Sequence, residues 1–443
     1  MTQHVDQLPR TDFSQEAAEA ISRAANEPSW ARERRMEAWR VYEDTPMPSR
    51  TDEGWRRTDL APLQLSSLAP YVAASHRELE SGALREWLAA VSERAGLVLQ
   101  GNSEELSGEL DGELRNQGVV FTSLSRALQE HPDLVEPYLL SHGLLPTYNK
   151  FAALNSAFWS AGTFLYVPRG VVVEKPLLSA RTLTADGAVI MPRTIIVLEP
   201  GSSALYVDLS ASETHERQAM HCGVTDIFLK DNTEFRYAAV QEWGRNVWDF
   251  SMSRAQIGSG AKFSPVLASL GARVSRVHLE AILDGAGAEA KLEGVYFGDS
   301  NQHFDYQTLQ DHVSPYGASK LVFKGALKNK ASAAYEGTVH VGKGAIRTSA
   351  SQENRNLLLN PGAKADSIPI LEIEASDIDR CSHGATVGQV DEESLFYLMC
   401  RGLTRSEAKE LLVGGFFAPV IDSVPVEGLQ QRLRMKVGEK LAL

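Results

Sequence analysis

The 443-residue sequence has few cysteines, no excess of basic over acidic residues and no long apolar segment. Its three cysteines, Cys222, Cys381 and Cys400, are too few and too scattered for a disulfide framework, and this usage favours a reducing, cytoplasmic compartment. No run of about 18 apolar residues occurs, so we expect no membrane span. The formal net charge of −13 argues against a nucleic-acid partner, which would need a basic surface.

Several common catalytic motifs are missing as well. The sequence has no Gly-x-x-x-x-Gly-Lys-Ser/Thr loop, so we expect no ATP site in this chain. There is no Gly-x-Ser-x-Gly elbow and no Cys-x-x-Cys pair. The first residues lack the basic-then-apolar layout of a secretory signal.

The patterns that are present divide the chain into three predicted parts. Residues 1–150 are rich in helix formers and predict an α-rich domain. Within it we expect helices up to about residue 45 and over residues 84–91 and 128–140, with short strands at 97–99 and 119–121. The acidic segment 103–113 is predicted to be a solvated loop.

Residues 151–388 predict a region of short strands. Helical periodicity disappears, and phrases such as Gly258-Ser259-Gly260-Ala261 and Gly285-Ala286-Gly287-Ala288 recur. Each combines a turn residue that tolerates positive φ with a small residue and then a strand. This quasi-repeat favours a β-solenoid, in which small residues fit between closely stacked coils, over a β-sandwich.

Residues 389–443 predict a helical domain. The segment 395–400 is apolar nearly all round, so we expect a buried helix with Cys400 in the core. Thr404 and Glu407 form a predicted capping box for the next helix. Leu429, Leu433, Val437 and Leu441 mark a third apolar stripe. Such helices either cap a solenoid or dock a partner.

Cys381 and His383 form a candidate metal-binding pair. They lie two residues apart, so in a strand both side chains project from one face. A thiolate and an imidazole suit a transition metal. Two ligands cannot complete a tetrahedral site, so another chain or a sulfide would have to supply the rest. The pattern alone leaves a metal role and a structural role equally open.

Other metal-ligand residue types carry weaker signals. His303, Asp305 and His312 lie in one segment and are candidate ligands, but we favour a hydrogen-bonded polar surface because a third ligand needs an unseen neighbour. Cys222 is expected to be a buried small hydrophobe.

A longer set of residues carries a resemblance to a known family. The segments Ser351-Gln352-Glu353-Asn354-Arg355-Asn356, Cys381-Ser382-His383-Gly384-Ala385-Thr386-Val387-Gly388 and Gly54-Trp55-Arg56-Arg57-Thr58-Asp59-Leu60 closely resemble the SufB/SufD family. Within it the chain is more similar to the SufD members. SufB members carry Glu where this chain has Gly384, and they have more cysteines.

The resemblance implies a right-handed parallel β-helix flanked by an N-terminal α-rich domain and a C-terminal helical domain. It implies a non-catalytic scaffold subunit of a complex that assembles nascent iron–sulfur clusters. In that complex a SufB-like subunit pairs with the β-helix, and the SufC-like ATPase docks on the C-terminal helices. The docking residues expected on this basis are Leu395, Phe396, Thr404, Glu407, Ala408, Leu411, Leu412 and Phe416.

By the same resemblance, His383 is the stronger ligand of a transient cluster shared at the interface, and Cys381 is the weaker one. Three questions stay open: whether a flavin binds, whether a cluster persists on this chain alone, and whether the chain alone forms a homodimer. Two alternatives also stay open. In the first, the chain is a purely structural partner of SufB with no metal ligand. In the second, it is a β-helix carbohydrate-active enzyme, although no carboxylate pair at fixed spacing supports this enzyme function.

Overall fold

The computed structural model describes residues 12–74 and 82–442. The predicted helix content of residues 1–11 lies outside these ranges. The helices are α1 (Gln15–Ala24), α2 (Ser29–Asp44), α3 (Ala83–Ala89), α4 (Gly112–Asn116), α5 (Leu124–Glu130), α6 (Pro132–Val135), α7 (Lys150–Phe158), α8 (Glu392–Cys400), α9 (Arg405–Ile421) and α10 (Glu427–Ala442).

Twenty strands lie within the described residues. They are β1 (Gly96–Gly101), β2 (Glu104–Leu110), β3 (Val120–Ser123), β4 (Thr163–Val167), β5 (Val172–Thr182), β6 (Val189–Ile190), β7 (Arg193–Leu198), β8 (Ser203–Ala211), β9 (Ala219–Leu229), β10 (Glu234–Glu242), β11 (Val247–Ile257), β12 (Lys262–Ser269), β13 (Val274–Leu283), β14 (Glu289–Gly298), β15 (His303–His312), β16 (Ala318–Leu327), β17 (Ser332–Val341), β18 (Ser349–Leu358), β19 (Lys364–Ile373) and β20 (Arg380–Gln389).

Two long sheets face each other across a shared interior. Sheet A has the order β2-β1-β5-β8-β10-β12-β14-β16-β18-β20, and sheet B has the order β19-β17-β15-β13-β11-β9-β7-β4-β3. From β8 onward the chain alternates between the sheets, and neighbouring strands in each sheet are parallel, as β16 and β18 are over ten residues without a slip. This is a parallel β-solenoid of about eight coils, so the solenoid prediction is confirmed.

The turns explain the recurring sequence phrase. Most turns from β7 to β18 contain one residue with a left-handed backbone, and several of these residues also bond to the following coil through their N–H groups. Gly201 donates to the Asp231 carbonyl and Gly260 to the Ala286 carbonyl. Glycine is favoured at such positions because positive φ costs it little. The predicted small residues are buried between coils: Ala261, Ala288, Ala331 and Ala345.

The interior and both outer faces of the solenoid are packed. Alternate residues of both sheets fill the interior with rings, among them Phe235, Phe263, Phe304 and Phe323. The outer face of sheet A is covered by α3, α9 and α10, and the outer face of sheet B by α1, α2 and α7. Each fully buried apolar side chain contributes roughly 1.5–3 kcal/mol relative to exposure. The helices thus stabilise the solenoid from its two sides, and they leave its last coil uncovered.

Two predictions for the first part of the chain are wrong. The acidic segment 103–113 is not a loop: β2 extends sheet A as an antiparallel strand, and α4 follows it. The helix predicted over 128–140 breaks after Glu130, because Pro132 cannot supply an N–H and His131 leaves helical geometry (φ −138, ψ 47). The division into three domains stays a prediction, since β1 and β3 share the two sheets with the strands that follow them.

The prediction of a buried helix over 395–400 is also wrong. In α8 only Leu395 is buried, whereas Phe396 is 69% and Tyr397 57% exposed. Cys400, expected in the core, is exposed. An all-round apolar sequence does not specify which faces find a partner, and most of α8 finds none among the described residues.

Lys440 fixes the end of α10 to the solenoid. Its ammonium donates to the carbonyl oxygen of Leu270 (2.8 Å) and to Oε1 of Gln302 (3.0 Å), and it pairs with the Asp299 carboxylate (2.9 Å). Burial lowers the pKa of Lys440 to about 8, against the opposing effect of Asp299. All three donors are satisfied, so the lysine is an anchor and not a free nucleophile.

Replacing Lys440 with methionine should destabilise the protein. The substitution leaves Asp299 with Arg245 as its remaining cation and leaves two buried carbonyl-type acceptors, Leu270 O and Gln302 Oε1, without their donor, which costs about 2 kcal/mol. Urea denaturation followed by circular dichroism measures this free energy of unfolding. Arg434→Met is the matched control, because Arg434 is 48% exposed in its pair with Asp422, and such pairs contribute about 0–1 kcal/mol. Equal midpoints for both variants would contradict the anchoring role.

Candidate functional site

The last coil of the solenoid consists of β19 and β20, and it is open. β20 is the final strand of sheet A and β19 the final strand of sheet B, so each presents one unpaired backbone edge. Residues 383–389 are all exposed. Unpaired edges of this kind are templates for pairing with another chain.

The opposite end of the solenoid is closed. There β2 and β3 add to the two sheets as antiparallel strands, and α4 crosses between them. Leu110 and Leu114 from this crossing pack against the interior core. Within the described residues, parallel strand edges are therefore free at the β19–β20 end alone.

Register places Cys381 and His383 on the inner side of the open coil. β20 pairs in parallel with β18, and His383 lies opposite Gln352 while Cys381 lies opposite Ala350. Both β18 residues are buried inside the solenoid. Because paired residues in a parallel sheet share a face, His383 and Cys381 face the interior axis, from which no further coil covers them. The prediction that the two share a face is confirmed.

The two side chains have different surroundings. Cys381 packs against Val339, Val341 and Ala350 at the edge of the core, and this partial burial raises the pKa of its thiol. His383 is exposed and makes no hydrogen bond or ion pair within the described part of the chain. The imidazole of His383 is therefore the more available metal ligand. The thiol of Cys381 is held in its less reactive protonated form.

The interior beneath the open coil is polar and hydrogen-bonded. Tyr335 Oη lies 2.8 Å from Thr308 Oγ1 and 3.4 Å from Gln352 Nε2. Ser367 of β19, in the open coil, donates to Oδ1 of Asn354 in β18 at 2.7 Å. Sequence reasoning did not identify Gln352 as a site residue. The alternation of polar residues in Gln352-Glu353-Asn354-Arg355-Asn356 was a signal, since alternate positions of a strand share one face.

The residues His303, Asp305 and His312 do not form a common site. His303 (3.1 Å) and Asp305 contact the Thr58 hydroxyl on the outer face of sheet B, and Asp305 also pairs with Arg276. His312 lies on the opposite face of the same strand and contacts Ser319 Oγ at 2.8 Å. This supports a structural role, in which the outward pair fastens the N-terminal segment to the solenoid.

The described residues do not form a complete metal centre by themselves. Among residues 12–74 and 82–442, no group of three or more His, Cys, Asp and Glu side chains is placed to hold a metal ion. Cys222 is buried, as predicted, and its thiol donates to the Phe151 carbonyl. Cys381 and His383 would thus supply at most part of a ligand set.

The C-terminal helices follow directly from the open coil. Asp391 caps α8 two residues after β20 ends. The capping box of Thr404 and Glu407 at the start of α9 is present as predicted. Of the residues expected to dock a partner, Leu395 and Ala408 are buried, Leu412 and Phe416 are half-buried, and Phe396, Leu411, Thr404 and Glu407 are exposed.

Comparison with known proteins identifies the family. Residues 181–416 match the family model "SUF system FeS cluster assembly, SufBD core domain", and residues 11–178 match "SufBD protein N-terminal region". The chain belongs to the SufBD family of iron–sulfur cluster assembly proteins.

Two relatives align with nearly the whole chain. The chain is 30% identical over 427 residues to the iron–sulfur cluster assembly protein SufB of Bacillus subtilis, which covers 94% of this chain and 90% of that protein. It is also 30% identical over 420 residues to a SufBD family protein of Staphylococcus epidermidis, and the match covers 92% of this chain and 88% of that protein.

The helices in the described part of the chain include none with the length and apolar character that a membrane span requires.

The three cysteines should react with iodoacetamide in the order of their exposure. Exposed Cys400 should react first, and Cys381 about tenfold more slowly because burial raises its pKa. Cys222, whose pKa burial also raises, should react only on unfolding. Mass spectrometry of timed digests measures the rates, with Cys400→Ser as the control for site assignment. Faster alkylation of Cys381 than of Cys400 would contradict this description.

Proposed function

We propose that this chain is a non-catalytic scaffold subunit whose open coil pairs edge to edge with a SufB-like subunit and contributes His383 to a nascent iron–sulfur cluster at the junction. The observation that carries the proposal is the combination of two free parallel strand edges with a histidine and a cysteine on the inner side of one of them. Family membership supports the reaction context.

Pairing at this end is physically favourable. A partner strand would satisfy the unpaired backbone groups of β19 and β20 and would cover Val387 and Ile373, each 43% exposed. Added coils at this junction would continue the stacking that already holds the solenoid together. The interface would then enclose His383 and Cys381 between two solenoids.

The enclosed pair is suited to share a cluster and not to hold one alone. A neutral imidazole is a good iron ligand, and the partner's cysteines together with sulfide would complete the set. Cys381 is the secondary candidate because its raised pKa disfavours the thiolate. Gly384, next to His383 in the chain, faces the outer side of the sheet, where no atom lies within 4 Å of a Cβ added to it.

The exposed apolar residues of α8 and α9 are the proposed docking surface for a SufC-like ATPase. We define this helix surface by Phe396, Tyr397 and Leu411, which are 69%, 57% and 56% exposed. Because only two residues separate β20 from α8, a displacement of α8 by the ATPase would act directly on the strand that carries His383. A junction with two arrangements biased by nucleotide would make cluster access ATP-dependent.

Assignment to the SufD-like branch is a further part of this proposal. It rests on Gly384 at the position where SufB members carry Glu and on the small number of cysteines. A cytoplasmic location is proposed on the same cysteine usage. Flavin binding and a homodimer of the isolated chain stay open.

Replacing His383 with alanine should reduce cluster formation in the reconstituted complex at least fivefold. The substitution removes the imidazole ligand without disturbing a described contact. Visible absorbance after anaerobic addition of ferrous iron and sulfide measures the yield. His142→Ala, at another exposed histidine, should leave the yield unchanged. An unchanged yield in an intact His383→Ala complex would favour the purely structural alternative.

Charges on the helix surface should release the ATPase. Phe396→Asp together with Leu411→Asp should abolish co-purification of the SufC-like subunit, because a buried unpaired carboxylate is costly, while the SufB-like subunit is retained. Met435→Asp is the matched control, since Met435 on α10 is 57% exposed outside this surface. Retention of the ATPase by the double variant would place its docking site elsewhere.

A further inference from the structure

We propose that Gln352 is a positioning residue for His383. Its side-chain oxygen would accept a hydrogen bond from one ring nitrogen of His383 and so direct the other ring nitrogen toward the ligand at the open coil. This inference rests on the ligand role of His383 proposed above, and it names the group that sets the orientation of that ligand.

Register brings the two residues together. His383 is the in-register neighbour of Gln352 on the adjacent parallel strand, so their side chains leave the sheet on the same inward face. Neighbouring strands lie about 4.8 Å apart, which is within the reach of an imidazole and a glutamine amide. Gln352 is 3% exposed and belongs to the last coil that is fully enclosed.

The amide of Gln352 is held in place. The side chain crosses the interior from sheet A to sheet B, where its Nε2 lies so close to Gly337 that a Cβ on that residue would overlap it. Nε2 also lies 3.4 Å from Tyr335 Oη, which in turn contacts Thr308 Oγ1. Glycine at position 337 thus makes room for the amide, and the tyrosine fixes its nitrogen end.

The oxygen end of the same amide has no partner. Gln352 Oε1 is buried and without a hydrogen bond among the described residues. A buried unsatisfied carbonyl costs about 1–3 kcal/mol, so a donor at this point is favoured.

The open coil offers one suitable donor. Its residues nearest Gln352 and Gly337 are His383 and Pro369, flanked on the inner face by Cys381 and Ala385 of β20 and by Ser367 of β19. The Ser367 hydroxyl already donates to Asn354 Oδ1. Proline and alanine have no side-chain donor, and a thiol is a weak one. The imidazole N–H of His383 is therefore the group that can satisfy Gln352 Oε1 by a rotation of its own side chain.

The bond would have a chemical consequence for a ligand histidine. A neutral imidazole donates from one nitrogen and presents a lone pair on the other. Fixing the donor nitrogen on the amide oxygen selects one tautomer and one ring orientation, as the outer partners of metal-bound histidines do. Without that partner, exposed His383 would sample several rotamers.

The test uses Gln352→Met, which keeps side-chain length and removes the acceptor, and Gln352→Glu, which keeps an acceptor. Nitrogen-15 NMR of the His383 ring at one fixed pH reports the tautomer in the full chain. The wild-type protein and the Gln352→Glu variant should show one predominant tautomer of His383. The Gln352→Met variant should show a mixture of both tautomers. In the reconstituted complex, given ferrous iron and sulfide, Gln352→Met should lower the cluster yield at least threefold.

Gln310→Met is the matched control. Gln310 is also fully buried in the interior with an unpartnered Oε1, but it lies in β15, away from the open coil. The Gln310→Met variant should leave the His383 ring signals and the cluster yield unchanged.

Identical His383 ring signals in folded wild type and Gln352→Met would overturn the positioning role. Failure of Gln352→Glu to keep the single tautomer would also overturn it. If the tautomer responds to Gln352→Met while the yield is insensitive to His383→Ala, positioning stands and the proposed ligand role fails.

Discussion

The structure depends on one constraint: every coil must stack in register on the coil before it. Parallel pairing satisfies the backbone groups of each strand only through its two neighbours, so the first and last coils each have an unsatisfied side. At the first coil β2 and β3 pair with the exposed edges of β1 and β4 within the chain. At the last coil nothing within the described residues does. The candidate site lies where the stacking requirement is unmet.

The stacking also explains where the helices lie. Each sheet has an apolar outer face, and α9 and α10 on sheet A and α1, α2 and α7 on sheet B cover those faces. A helix laid over the last coil would have to satisfy two strand edges, which helices cannot do because their own backbone groups are already bonded. The C-terminal helices therefore turn back along the side of the solenoid. Lys440 secures them there.

Much of the fold was predictable because its signals are local. Positive φ at Gly201 and Gly260, and buried alanines where coils stack, depend on a few neighbouring residues and appear directly in the sequence. The errors have the opposite origin. Whether residues 104–110 pair with β1, and whether α8 finds a covering partner, depend on distant parts of the chain. Apolar composition therefore placed Cys400 in a core to which it does not belong.

The candidate site shows the same division. The shared face of Cys381 and His383 follows from the two-residue period of a strand. That this face points to the interior axis depends on which strand stacks on which, and the role of Gln352 depends further on the absence of a side chain at Gly337, on the other sheet. Pairings across the interior leave no pattern in a single sequence. They become visible once the register is known.

The difference between the two ends of the solenoid limits the size of any assembly built on it. A subunit with complementary surfaces at both ends can add further subunits without limit and form a filament. A subunit whose free parallel edges lie at one end only can join through these edges to one partner, after which no parallel edge remains free. The antiparallel strands β2 and β3 thus end the parallel stacking at the first coil, and in the proposed assembly a pair would complete it at the other.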